Sequence, residues 1–277
     1  MYRKPYIDAY LKYNFPFDEA KAEVDFALDT LFNYTYKDFM LGKTLKDWQI
    51  SKLWKVIKER VTTHKPIQQI IGMAYFCGRK FFVDDSTLVP RPETEILVKD
   101  VLEISKEIEN PNILDIGTGS GCIPITLMLE NKFISADSVD ISLNAIEMAK
   151  KNALFHNILN NLNIFKSDLF ENINKSYNII VSNPPYIPLK DKETLQTEVK
   201  DFEPANALFT NDELGIEYYK KIIEQAENYL TENGYIAFEL GINQIEAVAS
   251  IFKQNNYKVI NIDKDLNSIE RVIIARK

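Results

Sequence analysis

The sequence predicts an α/β protein with a mostly parallel, seven-stranded sheet, helices on both of its faces, and a small N-terminal helical bundle joined by a β-hairpin. Three observations predict this. From about residue 96 onward, short apolar runs alternate with amphipathic helical stretches, the pattern of a parallel sheet whose crossovers are helices. Before about residue 72, apolar residues recur at helical spacing, as in AEVDFALDTLFNY and LKDWQISKLWKVIKERV. Between the two regions, Ala74 to Val83 is aromatic and β-prone with Gly78 in its middle, which reads as a hairpin.

Taken in order, the helical region is interrupted at Phe15-Pro16 and at Gly42-Lys43-Thr44, where turns fit. After the hairpin, Pro90 and Pro92 stiffen the connection and a helix is expected to start near Glu93. Strands are expected over Asn112–Ile116, Ile134–Val139, Leu162–Phe165, Tyr177–Ser182, Tyr235–Leu240, Lys258–Ile262 and Arg271–Ala275. Helices such as Leu143–Leu154 and Ile216–Leu230 lie between them. The last two strands are joined by so short a connection that an antiparallel pair is expected. The chain therefore divides into a helical domain (1–72), a hairpin linker (73–92) and a sheet domain (93–277).

Composition narrows the function. The chain has 277 residues, 45% hydrophobic and 26% charged, as in ordinary soluble domains. A net charge of −7 disfavours broad contact with nucleic acid, which needs a basic footprint; no direct nucleic-acid partner is expected. Cys77 and Cys122 stand far apart in no metal-binding or disulfide pattern, so no metal site is expected. The opening MYRKPYIDAYLKYNFPF lacks the apolar core of a signal peptide, and no apolar run approaches the length of a membrane span. A cytoplasmic protein without membrane association is the expectation.

Two loops carry the chemistry. ILDIGTGSG, Ile113 to Gly121, follows a strand and opens a helix. Its glycines allow a tight turn and close approach of a ligand to backbone amides. The spacing is neither the dinucleotide fingerprint nor a P-loop, and taken alone it also fits a structural turn. Asp140, ending the next strand 19 residues beyond Gly121, stands where a carboxylate accepts the protons of ribose hydroxyls; the competing reading is a helix cap shared with Ser142. After the third strand, Asp168 and Leu169 offer a polar and an apolar group to flank an adenine ring, or simply make a turn.

The second loop is Val181-Ser182-Asn183-Pro184-Pro185-Tyr186. Proline cannot continue a central strand, so the strand stops and Asn183 sits at its carboxyl end, where open α/β sheets bind ligands. A turn explains N-P and P-P but needs neither the second proline nor the tyrosine.

Together ILDIGTGSG, VDIS and VSNPPY resemble the class I S-adenosylmethionine-dependent methyltransferases, and NPPY the branch that methylates nitrogens conjugated to a π-system. Pro66 to Gly72 (PIQQIIG), LVPRPETEILV and DFEPANALF are similar to the release-factor glutamine methyltransferase family. The likeness runs from about residue 60 onward and is looser in the N-terminal helices; TNDELGIEYY carries one residue more before Gly215 than the family's usual spacing. The resemblance implies S-adenosylmethionine as cofactor, held by Asp115, Gly117, Thr118, Gly119, Ser120, Gly121, Asp140, Asp168, Leu169 and Asn183. It implies a substrate amide held by Asn183, Pro184, Pro185 and Tyr186. The Asn183 side-chain oxygen and the Pro184 carbonyl would accept the NH₂ protons, and Tyr186 would wall or stack on the amide. Peptide-chain release factors are the implied partners, docked by the helical domain and methylated on the glutamine of their Gly-Gly-Gln motif. A ribosomal-protein glutamine, or an adenine amine on DNA or RNA, is the alternative substrate. Arg91, Glu93 and Glu95 could line the pocket or serve the fold. His64 and His156 stand in no motif and are expected on the surface.

Overall fold

The computed structural model describes residues 3–277. The chain forms two compact units: one runs to Ala74 and takes in a later segment, Gln196–Phe202; the other comprises Tyr75–Leu195 and Glu203–Lys277.

In the first unit, α1 (Lys4–Leu11), α2 (Phe17–Phe32), α3 (Tyr36–Met40), α4 (Asp47–Thr63) and α5 (Ile67–Ile71) are separated where the sequence breaks its periodicity. Asn33 and His64 end α2 and α4 in left-handed conformation, with φ of 50° and 61°. The apolar stripes of α1, α2 and α4 meet in a core of Tyr10, Val24, Leu28, Leu53 and Ile57. Arg60 is buried inside this unit, and a buried guanidinium is tolerable only when paired. It donates to Glu19 (2.9 Å) and Glu23 (2.8 Å), reaches Glu198 (2.6 Å), and lies over the Phe15 ring. Glu198 belongs to the later segment, which also accepts a hydrogen bond from Gln69 Nε2 at the Phe202 carbonyl (3.1 Å). This is why Gln196–Phe202, placed by sequence order in the sheet domain, groups with the helices. His64 is not a plain surface residue: its ring is half-buried and stacks on Phe15.

Of the hairpin strands, β1 (Met73–Phe76) contains the division after Ala74, and β2 (Arg79–Phe82) belongs to the second unit. In the second unit follow α6 (Pro92–Ser105), β3 (Asn112–Ile116), α7 (Cys122–Glu130), β4 (Ser135–Asp140), α8 (Leu143–Phe155), β5 (Leu162–Lys166) and β6 (Tyr177–Ser182). The two-residue strand β7 (Ile187–Pro188) pairs β8 (Phe209–Thr210); a 3₁₀ turn (Leu189–Thr194), α9 (Thr197–Phe202, in the first unit) and α10 (Ala205–Leu208) lie between them in sequence. Then come α11 (Glu217–Ala226), β9 (Leu230–Glu239), α12 (Ile245–Gln254), β10 (Lys258–Lys264) and β11 (Glu270–Arg276).

The seven-stranded sheet has the order β10-β11-β9-β6-β3-β4-β5, and only β11 pairs antiparallel, with β9 and β10. The expected strands and the antiparallel final pair are all present. The largest boundary differences adjoin one another: α11 stops at Ala226, whereas a helix through Leu230 was expected, and β9 starts at Leu230 and not at Tyr235. Leu230 pairs with Tyr177 of β6, so sheet pairing overrides helical propensity there. Alternation along the central strands fills two cores. Ile113, Ile179, Ala237 and Ile274 face α6, α7 and α8; Leu114, Ile180, Ile236 and Ile273 face α11 and α12. No helix among the described residues is long and apolar enough to cross a membrane.

The topology selects one place for a ligand. The chain steps outward from β3 to β4 and β5, then returns to put β6 on the other side of β3. At such a reversal the loops leave the strand ends in opposite directions and open a crevice. The loops there are the glycine loop after β3 and NPPY after β6. Ile116 pairs with Ser182, whose Oγ donates to the Ile116 carbonyl at 2.7 Å.

Candidate functional site

The glycine loop turns through left-handed conformations at Gly117, Gly119 and Gly121, with φ of 76°, 54° and 78°. Such angles strain any residue with a Cβ. The loop is pinned to the end of β4: Gly117 and Thr118 donate their N–H groups to the Val139 carbonyl (2.9 and 3.0 Å). A Cβ at Gly117 or Gly119 would meet nothing within 4 Å, so the loop faces open space. At Gly121 a Cβ would press on Ile125 and Ala149 at 3.0 and 3.1 Å; that glycine lets α7 and α8 pack.

Asp140 engages the backbone with both oxygens. Gly119 N–H donates to Oδ2 (3.0 Å) and Ser142 N–H to Oδ1 (2.9 Å), while Ser142 Oγ caps α8 by accepting from Ala145 N–H. Burial raises the Asp140 carboxyl above the usual carboxylate range, against these hydrogen bonds. A carboxylate offers about four acceptor positions, so two remain.

Asn183, Pro184, Pro185, Gly117, Thr118, Gly119, Ser120, Asp140, Asp168 and Leu169, all marked by the sequence, line one cleft. Leu169 stands at φ 49°, held by Ser167 Oγ donating to its carbonyl (2.9 Å). Three marked residues do not line the cleft. Asp115 is fully buried beneath the loop; neither carboxyl oxygen has a hydrogen-bond partner, and burial pushes the group up to about 7. Gly121 serves helix packing. Tyr186 turns its ring against Gly241 and its hydroxyl toward Glu239 Oε1, 3.5 Å away.

Behind NPPY the backbone is clamped by Gln244. Its Nε2 donates to the carbonyls of Tyr186 (2.9 Å), Leu214 (2.9 Å) and Gly215 (3.1 Å), and its Oε1 accepts from Gly241 N–H (2.9 Å). Of the flanking charges of PRPETE, Arg91 lines the cleft and is at the same time anchored in the fold, as is Glu95. Arg91 donates to both oxygens of buried Glu203 at 2.9 Å, and Glu95 accepts from the N–H of Cys77, a turn residue at φ 47°. His156 is half-buried with Nε2 2.9 Å from the Lys80 carbonyl, not a free surface residue.

Sequence reasoning missed three polar residues. Asn152, fully buried on α8, donates to the carbonyls of Phe82 and Ser120 and so ties hairpin to glycine loop. Thr94 and Glu239 meet Asn183: Thr94 Oγ1 lies 2.5 Å from Glu239 Oε2 and 3.3 Å from Asn183 Nδ2. For Glu239 a signal was present, since a charged residue ends the apolar run Tyr235-Ile236-Ala237-Phe238.

The chain is similar to known methyltransferases. A family model described as "Methyltransferase small domain" matches residues 92–211. A "Release factor glutamine methyltransferase" of Fusobacterium nucleatum subsp. nucleatum is 41% identical over 241 residues, 86% of this chain and 68% of that protein. One of the same name from Flavobacterium psychrophilum is 35% identical over 93% of this chain and 92% of its own length. A "Bifunctional methyltransferase" of Rickettsia bellii is 36% identical over 96% of this chain, which spans about half (52%) of that longer protein. Among solved structures, a ribosomal protein L11 methylase from Lactobacillus delbrueckii subsp. bulgaricus superposes with a TM-score of 0.51 at 19% identity, covering 70% of this chain and 84% of that one, a likeness of fold.

Proposed function

The chain belongs to the release factor glutamine methyltransferase family, and on that premise we propose that it transfers a methyl group from S-adenosylmethionine to the side-chain amide nitrogen of the glutamine in the Gly-Gly-Gln motif of peptide-chain release factors. The observation that carries the reading is that Asn183, Pro184 and Pro185 line the same cleft as the glycine loop and Asp140.

The residues present fit the cofactor. Gly117 and Gly119 leave a cradle that a Cβ would fill, and Asp140 keeps acceptor positions for two ribose hydroxyls. Asp168 and Leu169 flank the adenine position. Bound there, S-adenosylmethionine supplies a sulfonium-activated methyl group. Asp115 supports the loop from below, and Gly121 acts through packing.

An amide nitrogen is a poor nucleophile because its lone pair is delocalised. What the protein must add is placement, and relief of the positive charge that grows on nitrogen. The Asn183 side-chain oxygen and the Pro184 carbonyl accept the two N–H groups, which does both. The locked φ of the prolines aims that carbonyl, and the Gln244 clamp holds the chain behind it. So held, the amide nitrogen would take the methyl group as the methyl–sulfur bond breaks, its electron pair leaving on the thioether of S-adenosylhomocysteine, and would then shed one proton to water, so no residue here need act as general base. Tyr186, turned toward Glu239, walls the loop from behind. Substrate docking falls to the helical unit, which exposes Tyr36, Met40, Leu41 and Trp48. Translation termination places enzyme and substrate in the cytoplasm.

The test offers labelled S-adenosylmethionine with purified release factor and with DNA in parallel, and locates the label by mass spectrometry. Label on the Gly-Gly-Gln glutamine is expected. Label on DNA alone, or on a ribosomal-protein glutamine alone when ribosomes are offered, overturns the substrate.

A further inference from the structure

Thr94 in the first turn of α6 and Glu239 at the last residue of β9 are both buried. A hydroxyl and a carboxyl at the apolar end of a sheet are costly unless partnered. Here Thr94 partners both: its Oγ1 sits between Glu239 Oε2 (2.5 Å) and Asn183 Nδ2 (3.3 Å).

Elementary donor and acceptor rules set the direction of these bonds. An ionised carboxylate only accepts, so the single Thr94 proton goes to Glu239. The Thr94 lone pairs then face Asn183 and require a donor from it. Asn183 must turn its NH₂ inward, which leaves its carbonyl oxygen for the cleft. We propose that Thr94 and Glu239 are positioning residues that lock the Asn183 amide with its oxygen toward the NH₂ group of the substrate. With the amide flipped, an NH₂ would meet an NH₂, donor against donor, and the substrate would lose both its placement and its charge relief. The inference rests on the reading that Asn183 grips a substrate NH₂.

The protonation of Glu239 bears on the same lock. Burial pushes its carboxyl up to about 7, with the charge of Glu93 on α6 acting in the same direction and Arg271 on β11 against it. Tyr186, Tyr219 on α11 and Cys122 on α7 also face it, with protons held firmly by burial. Once protonated, Glu239 can donate to Thr94, and Thr94 can then donate to a flipped Asn183. The lock is therefore made above about pH 7 and is lost below it.

The experiment uses the full chain with release factor as substrate. Single-turnover methyl transfer is measured from pH 5.5 to 8.5, and S-adenosylmethionine affinity by calorimetry, for Thr94→Val, Thr94→Ser, Glu239→Gln and Asn183→Ala. Thr94→Val keeps the shape and removes the hydroxyl. It should slow transfer about 10- to 100-fold, the scale of a misaligned reacting group, with cofactor affinity within about threefold. Thr94→Ser should restore most of the rate. Glu239→Gln should be slow and should lose the acid limb near pH 7; if it does not fold, the Val and Ser pair decides. Transfer by Thr94→Val at the parental rate overturns the inference, as does a loss of cofactor affinity that matches the loss of rate. If Asn183→Ala itself turns over normally, the reading of the site fails; if it is inactive while Thr94→Val is normal, only this inference fails.

Discussion

Gly215 gives the sharpest test of how the site is supported. It stands at φ +73°, and a Cβ built on it would lie 2.1 Å from the Tyr186 carbonyl oxygen, 2.5 Å from Gln244 Nε2 and 2.9 Å from the Tyr186 carbonyl carbon. Gly215→Ala therefore carries two separable costs. The left-handed conformation costs a residue with a Cβ about 1–2 kcal/mol. The clash is with backbone, so either the loop carrying Tyr186 moves or the Gln244 amide leaves it. Orphaning a buried polar group costs about 1–3 kcal/mol. The sum is on the order of 2–5 kcal/mol. Gly117→Ala is the control, since its φ is +76° but its Cβ would meet nothing within 4 Å. It should bear only the conformational cost and instead weaken cofactor binding by filling the cradle. Urea unfolding with a site-specific probe on the sheet unit, together with calorimetry, separates the two. Gly215→Ala should be the less stable by about 1–3 kcal/mol, the buried-group cost, and should slow methyl transfer because the NPPY backbone shifts. Equal stability in the two variants would refute the argument that packing behind NPPY demands a glycine.

Two further outcomes are expected. Asp140→Ala should weaken S-adenosylmethionine binding by at least about tenfold, because hydrogen bonds to a charged group are each on the order of 1.5–3 kcal/mol; unchanged affinity by calorimetry removes the ribose assignment. Asp115 should impose a pH dependence on stability. Its folded pKa, about 7, lies above its unfolded value, so between roughly pH 4 and 7 the native state binds more protons than the unfolded chain and stability falls as pH rises. Asp115→Asn should flatten that slope in denaturation curves taken across the range, and a slope unchanged by the substitution would mean that the carboxyl is not strained by burial.

What the sequence determined by itself follows from local physics. Short apolar runs place Asn112–Ile116 and Tyr177–Ser182 as strands, and Pro184 stops the second, because a buried strand must be apolar and a proline cannot donate to the ladder. The glycine loop and NPPY were legible for the same reason: each breaks a local rule of its strand, and such breaks gather where ligands bind. What only the tertiary structure decided depends on partners distant in the chain. Glu198 belongs with Arg60 although 138 positions separate them, and nothing local to α9 assigns it to the helical unit. Asp115 and Gly121 sit inside a ligand-binding motif yet serve its support, because burial and helix packing are not local properties. Thr94 and Glu239 are separated by 145 positions, and either one read alone is an ordinary helix or strand residue. Only when the sheet brings β9 beside β6, with α6 over their ends, does one proton between them settle which way Asn183 points.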